Sequence, residues 1–303
     1  MPLIIADFGS AQGRNSMHVM KFIIEYLKET KKIESENQIL VVHNDLPTNG
    51  WTTLFDLLNH DHFYYGVANG RSFYERCLPD NSLSIGYSST SLHWLSCKPC
   101  NISNHCSSLF AQGDELRAFQ EQARLDWTHF LEYRSCELIV GGVLILLIPC
   151  VDERGCNGFD IIRELLYKCA QLVLTSKELL DYTLPIYARS YSECVDHQLF
   201  DRYSFELIKV DFGSVSMPFI EQWQKETLTT DQFIQSMTSY VRSWSESILR
   251  QTLVINNRSS QDIEQIAERF WSLYELETRK ELDQFVTMHM NYIYLILRKK
   301  KRE

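Results

Sequence analysis

The sequence predicts an α/β fold, a mostly parallel sheet flanked by helices and followed by a helix-rich cap, and three observations carry that reading. Short β-branched runs alternate with polar helical stretches over the first hundred residues, the pattern that builds a parallel sheet covered on both faces. The longest apolar run, Leu138 to Pro149, is too short for a bilayer span, which needs about 20 residues, and reads as a buried strand. After Cys150 the apolar spacing turns mostly helical.

Taken in order, strands are expected at Leu3 to Asp7, Gln38 to Asn44, Leu83 to Ser88 and Val143 to Cys150. Between the first two, Val19, Phe22, Ile23, Tyr26 and Leu27 recur at helical spacing and leave Lys21, Glu25, Lys28 and Glu29 for solvent, which makes a βαβ unit. Leu116, Phe119, Ala123, Trp127, Phe130 and Leu131 mark a second helix, which ends before a Gly141-Gly142 turn feeds the apolar strand. In the cap, Phe233, Met237, Val241, Trp244 and Ile248 form a stripe that starts at the capping-box-like Thr229-Thr230-Asp231-Gln232. Phe205 to Phe212 and Tyr292 to Leu297 read as strands that return to one sheet edge as an antiparallel pair. With no internal repeat and no long linker, one domain is expected over 1–303. Its main sheet covers 1–150, the cap 151–200 and 214–284, and the returning strands 205–212 and 286–298.

A chain of 303 residues with 45% hydrophobic residues, 12 Gly and 7 Pro can bury a large core. Its net charge of −9 works against a phosphate-neutralising surface, so no nucleic-acid partner is expected. The opening Met1-Pro2-Leu3-Ile4-Ile5-Ala6-Asp7 has no basic n-region or cleavage site, and the nine Cys are an odd count. The thiols are therefore read as free, the location as cytoplasmic, and no membrane partner is expected.

Asp7-Phe8-Gly9-Ser10-Ala11-Gln12-Gly13 follows a strand and precedes a helix, where a glycine turn brings backbone close to a ligand. Its glycine spacing is not the dinucleotide fingerprint. Asp45, at the end of the second strand, has the position and charge to accept hydrogen bonds from a ribose diol. Together they suggest an adenosyl ligand at the carboxyl ends of the strands.

The segments IADFGSAQGRNS (5–16), HNDLP (43–47), GRSFYERCLPDNSLSIGYSSTSLHWLS (70–96) and FLEYRSCELIVGG (130–142) resemble, in order and spacing, the SABATH methyltransferases, which methylate salicylate, jasmonate and related carboxylic acids. The SSxSLHWLS string is the most specific part, and the likeness continues more weakly to the last strand. The resemblance implies a Rossmann-like class I methyltransferase fold with a seven-stranded sheet and a helical cap, S-adenosyl-L-methionine as cofactor, a small-molecule carboxylic acid as substrate, and a homodimer. It further implies that Asp7, Gly9, Ser10 and Asn15 line the methionine and ribose side, that Asp45 with Leu46 holds the ribose, and that Ser72 and Phe73 hold the adenine. His93 and Trp94 match the pair that contacts the substrate carboxylate, with the indole N–H as a donor.

No catalytic base is expected, because a carboxylate is already a nucleophile at neutral pH and a sulfonium methyl is already activated. Positioning is the main task. Holding the oxygen about 3 Å from the methyl can supply about 7–11 kcal/mol through proximity and orientation. Two departures bear on this. Relatives carry several dozen residues before the first strand, including a Ser-Tyr pair and a Gln that touch the ligands, so those contacts are expected to be missing here. Thr90 stands where the family commonly has Tyr, which shortens a wall of the substrate pocket. The alternatives are N-methylation of a heterocycle, or a non-catalytic member.

Some relatives bind a divalent metal through residues that would fall at Asn101 and around Leu180 to Thr183. The match is poor, with Asp181 displaced and Thr183 in place of Asn, so no metal is expected. Cys97, Cys100, His105 and Cys106 have zinc-ligand residue types, but their tight spacing fits no standard finger, and incidental thiols in a lid is the simpler reading. Arg298-Lys299-Lys300-Lys301-Arg302 reads as a solvated tail after the final strand. Asn101-Ile102-Ser103 and Asn257-Arg258-Ser259 fit the glycosylation acceptor pattern but carry no weight in a chain that is not secreted.

Overall fold

The computed structural model describes residues 2–34 and 38–301. Seven strands form one sheet: β1 (Leu3–Phe8), β2 (Ile39–Asn44), β3 (Tyr65–Asn69), β4 (Leu83–Ser89), β5 (Leu138–Pro149), β6 (Phe205–Val215) and β7 (Met290–Lys299). Their order is β3-β2-β1-β4-β5-β7-β6. The first five run parallel, whereas β7 inserts antiparallel between β5 and β6, as expected of the returning pair. The chain order reverses between β1 and β4, so their carboxyl ends open a crevice at the switch point of the sheet, where open α/β folds bind ligands.

On the crossovers lie α1 (Arg14–Glu29), α2 (Trp51–Asn59) and α3 (Gly113–Glu137). Helix α1 buries Met17, Met20 and Ile24, with Val19, Ile23 and Leu27 packed beside them. Phe22 and Tyr26, expected in the stripe, are 66% and 58% exposed, and Lys21 and Lys28, expected in solvent, are half-buried against the Phe63 ring. The apolar face is rotated because Met17 and Met20 extend the stripe toward the N-terminus. Strand β3 and helix α2 carry no expectation from the sequence. The strand is a short edge strand whose Tyr65 and Val67 face outward, so it lacks the apolar alternation of a half-buried strand.

The Gly-Gly pair does not precede β5 as a turn. Helix α3 passes straight into the strand at Leu138, and the pairing with β4 slips from Leu83↔Leu138 to Ile85↔Val143, so Gly141, at φ +85°, sits in a bulge. Strand β7 runs on through Lys299, which is buried, while Arg298 pairs with Glu206 and Lys300 with Asp201. Arg298 and Lys299 thus belong to β7 and Lys300 is paired beside it, so the run does not begin as a solvated tail, and Arg302 lies outside the described residues.

The cap comprises α4 (Asp160–Val173), α5 (Ser176–Asp181), α6 (Tyr191–Cys194), α7 (His197–Arg202), α8 (Pro218–Gln224), α9 (Thr230–Ile255), α10 (Ser260–Lys280) and α11 (Leu282–Val286). Thr229 caps α9 with Gln232 in a reciprocal capping box, as its sequence signature predicts. Phe233, Met237 and Val241 are fully buried, and Trp244 and Ile248 pack against the same cluster. That cluster, formed by α4, α8, α9, α10 and α11, is distinct from the two that cover the sheet faces.

Candidate functional site

Residues 9–13 turn out of β1 with three positive φ values in five residues, at Gly9 (+96°), Ala11 (+47°) and Gly13 (+95°). Gly9 is required twice over. Its φ is left-handed, and a Cβ there would run into Ser91 Oγ and reach within 3.8 Å of the Phe73 ring. The loop is therefore pressed against both the segment after β4 and the 70–78 loop. Ser10 Oγ is buried in it without a hydrogen-bond partner, as is Asn44 Oδ1 at the end of β2. Buried polar atoms in native folds are ordinarily partnered, and these two lie at the carboxyl ends of β1 and β2, where a ligand would satisfy them.

Asp45 braces the same loop. One carboxylate oxygen accepts from the Ala11 N–H and the other from the Leu46 N–H, both at 2.8 Å, and each keeps lone-pair capacity. Burial raises its pKa, and those two backbone hydrogen bonds oppose the rise. Leu46 itself is exposed, as is Asn15 on the first turn of α1.

Asp7 is buried beneath the loop, and burial lifts its pKa to about 7, against a lowering hydrogen bond from Ser16 and a small raising contribution from Asp45. Ser16 Oγ also meets His43 Nδ1 at 2.8 Å, and His43 Nε2 lies 3.2 Å from the Tyr64 hydroxyl. One proton arrangement satisfies every member: Tyr64 donates to Nε2, Nδ1–H donates to Ser16, and Ser16 donates to Asp7. Burial holds His43 near 4, which keeps it neutral for that role.

The Ser72–Phe73 loop is held by α3. Arg134 and Glu137 form a fully buried ion pair at 2.7 Å. Arg134 donates to the Phe73 and Glu75 carbonyls, and Glu137 accepts from the Cys77 and Leu78 N–H groups, so the pair's remaining valences fix the loop. Phe73 packs edge-on against Tyr74 and Phe130. Ser72 Oγ accepts from the Tyr74 N–H.

Past β4, Thr90 takes φ +56°, rare for a β-branched residue, and its hydroxyl lies 3.5 Å from that of Tyr292 on β7. His93 and Trp94 follow on the side facing the cap, with ring centroids 5.8 Å apart. Trp94 meets Trp244 of α9 at 6.3 Å and bridges to Ile186 through its backbone. His93 Nδ1 is buried without a partner, and burial, helped by the charges of Arg163 and Arg189, holds its pKa down to about 3. The imidazole is therefore neutral throughout the physiological range.

The structure thus gathers Gly9, Ser10, Asp45 and Phe73 around one half of the crevice. Thr90, His93 and Trp94 face the cap beyond Ser91. Asn44, Ser91, Arg163, Tyr240, Trp244 and Tyr292 join them without having been singled out from the sequence. Arg163 had a legible signal, as an arginine within the apolar stripe of Ile162, Leu165, Leu166 and Cys169. Two open hollows elsewhere, one near Trp223 on the cap and one at the amino ends of β2 and β3, contain none of these residues.

Asn101 does meet Asp181, donating to its carboxylate at 3.1 Å, but its own oxygen accepts from the Lys98 ammonium at 2.6 Å, and Asn256 donates to the other Asp181 oxygen. Lys98 thus joins Asn101 to Asp181, donating to the Asn101 side-chain oxygen and to the Asp181 carbonyl. Cys97 is exposed and Cys106 buried, while His105 stacks on Phe110. Among the described residues no group of three His, Cys, Asp or Glu side chains could hold a metal ion.

A family model described as SAM dependent carboxyl methyltransferase matches residues 1–300. A probable S-adenosylmethionine-dependent methyltransferase of Arabidopsis thaliana is 34% identical over 216 residues, which cover 62% of this chain and 60% of that protein. The farnesoic acid carboxyl-O-methyltransferase of the same plant is 32% identical, over 67% of this chain and 65% of its own. A benzoic acid/salicylic acid carboxyl methyltransferase of Petunia hybrida is 31% identical, over 63% and 60%. The chain matches about three-fifths of the length of the curated relatives. Among solved structures, loganic acid methyltransferase with SAH superposes with a TM-score of 0.80 at 23% identity, over 99% of this chain and 85% of the other, which establishes the fold.

Proposed function

Because the chain belongs to the SAM dependent carboxyl methyltransferase family, we propose that it binds S-adenosyl-L-methionine in the crevice between β1 and β4 and methylates a small carboxylic acid held under the cap. The observation that carries this reading is the pairing of the two half-sites. On one side stands the Gly9–Gly13 loop braced by Asp45, with Ser10 Oγ unpartnered. On the other stand the buried Arg163 Nε and Trp244 Nε1, donors without acceptors, and the unpartnered Nδ1 of His93, on the side facing the cap.

The residues present fit the cofactor. Ser10 Oγ and Asn44 Oδ1 are orphaned where a ligand would satisfy them, Asp45 retains acceptor capacity for a diol, and Phe73 offers an apolar face beside Gly9. Bound there, the cofactor would supply an activated methyl group, which a carboxylate oxygen takes as the O–C bond forms and the S–C bond breaks, the electron pair remaining on sulfur.

The chain's own work is to bind, orient and dehydrate. His93, held neutral by burial, places no negative charge beside the acid, and with its proton on the unpartnered Nδ1 it can donate to a carboxylate oxygen. Trp94 and Trp244 wall the pocket with aromatic surface that excludes water. A donor-rich pocket suits an anionic acceptor better than a heterocyclic amine, whose reacting nitrogen must keep its lone pair free. Nine unpaired thiols suit a reducing, cytoplasmic location, and a homodimer is part of the same proposal. No helix among the described residues is long and apolar enough to cross a membrane.

The test is calorimetric titration with S-adenosylmethionine and its demethylated product. Micromolar binding is expected for the parent chain and its loss in Asp45→Ala, whereas Trp94→Ala should keep cofactor affinity and raise the acid concentration needed for ester formation. Equal loss in both variants would remove the division of roles. Cofactor binding with no ester from any acid would select the non-catalytic reading.

A further inference from the structure

Arg163 projects from the buried face of α4 and is only 4% exposed. Its Nη1 donates to Asn157 Oδ1 at 3.1 Å, and its guanidinium lies over the Phe159 ring at 5.6 Å. Its Nε has no acceptor. Among the described residues it makes no salt bridge. Among these the one carboxylic acid that acts on it is Asp160, one of whose oxygens accepts from the Gly158 N–H. Burial accordingly presses the Arg163 pKa down to about 10. An arginine sequestered without a carboxylate is expensive, since breaking or omitting the partner of a buried ion leaves an uncompensated charge.

Its neighbours are the cap-facing residues already described. The guanidinium acts on His93, and on Tyr240 of α9, whose ring stacks with Phe159 at 6.2 Å. Tyr240 is one turn before Trp244 on the same helix face, and Trp244 carries another orphaned donor against Trp94. Tyr292, which couples to Tyr240, reaches the Thr90 hydroxyl. Arg189, the other buried arginine, differs: its guanidinium donates to the Leu92 and Ala123 carbonyls, so it is spent on backbone.

We propose that Arg163 holds a second, non-reacting carboxylate of the substrate, so that this enzyme takes a dicarboxylic acid and esterifies one end. The proposal rests on the methyltransferase reading above. The choice of the non-reacting end follows from charge. The reacting carboxylate loses its negative charge as the ester forms, so a buried guanidinium paired with it would bind the ground state more tightly than the transition state and strand itself in the product. A charge that survives the reaction leaves Arg163 paired throughout. The reacting end is then left to the aromatic wall of Trp94 and Trp244 and to neutral His93.

The test is equilibrium titration in saturating S-adenosylhomocysteine with two matched probe pairs, isophthalate against benzoate and adipate against hexanoate. The parent chain is expected to bind the diacid of at least one pair about tenfold more tightly, the value of one charge-assisted hydrogen-bonded contact. Arg163→Met should bring that ratio to about one and Arg163→Lys should keep part of it, both with unchanged S-adenosylhomocysteine affinity, which also shows that each variant is folded. A parent chain without diacid preference, a ratio that survives in Arg163→Met, or no binding of any probe overturns the proposal. Failure of S-adenosylhomocysteine to bind overturns the methyltransferase reading instead, and the diacid ratio measured without it still decides the role of Arg163.

Discussion

At the scale of single residues, Gly9 sets how closely the first loop approaches Ser91 and Phe73. Replacing it with Ala places a side chain at φ +96°, which costs about 1–2 kcal/mol in the backbone alone, and drives its Cβ into Ser91 Oγ. Ser91 accepts no displacement cheaply, because its hydroxyl is tied to the Gly9 and Ser89 carbonyls. Gly9→Ala should therefore lower the melting temperature and weaken S-adenosylhomocysteine binding at least about tenfold, which corresponds to about 1.4 kcal/mol. A melting change with full affinity would mean that the loop is strained for stability and not for the ligand. The sequence pointed to this residue through a glycine between a strand and a helix together with the family resemblance, and the positive φ gives the reason that glycine is needed there. Arg163 was visible only as a polar break in the apolar stripe of α4; its meaning lies in what is missing around it, a carboxylate, and only the packed cap shows that.

Elements were legible in proportion to how completely they are buried on a regular face. The parallel strands β1, β2, β4 and β5 and the α9 stripe announce themselves by apolar runs and by the Thr229 cap. Edge strand β3 does not, since its outward Tyr65 and Val67 break the alternation. The rotated face of α1 was misread because its buried side is made partly of Ser16, whose value is a hydrogen bond and not apolar area. That same serine joins β1, α1 and β2 through Asp7 and His43, and the two titrations oppose each other. Asp7 has a folded pKa raised to about 7, so the stability linked to it is complete below the unfolded value near 4 and is lost as pH rises to 7. His43 has a folded pKa lowered to about 4, so its contribution is complete above the unfolded value near 6.5 and is lost as pH falls to 4. Between pH 4 and 7 the slopes nearly cancel. In Asp7→Asn the melting temperature should rise with pH across that window, and in His43→Gln it should fall. Parallel profiles in the parent and both variants would show that neither group titrates as its burial dictates.

Over the whole molecule, the crevice is a seam between separate cores, and this decides how damage in one place reaches the site. The cofactor half stands on the sheet, whose clusters include Phe8, Val42 and Leu144, whereas Arg163, Tyr240 and Trp244 project from cap helices packed on a different cluster. For the acid proposed above, a net charge of −9 gives no help from long range, so its recognition would depend on how rigidly the cap holds those buried donors. Phe233 is fully buried at the start of α9, stacked on Trp223 at 4.4 Å and edge-on to Phe285 at 5.8 Å, far along the helix from Trp244. Phe233→Ala opens a cavity that costs about 3–5 kcal/mol. Measured at a temperature where the variant stays folded, its affinity for adipate should fall several-fold more than its affinity for S-adenosylhomocysteine, because the loosened helix carries the acid pocket and not the glycine loop. Equal losses for both ligands would mean that sheet and cap respond as one core, and that the division of the site along the seam has no energetic counterpart.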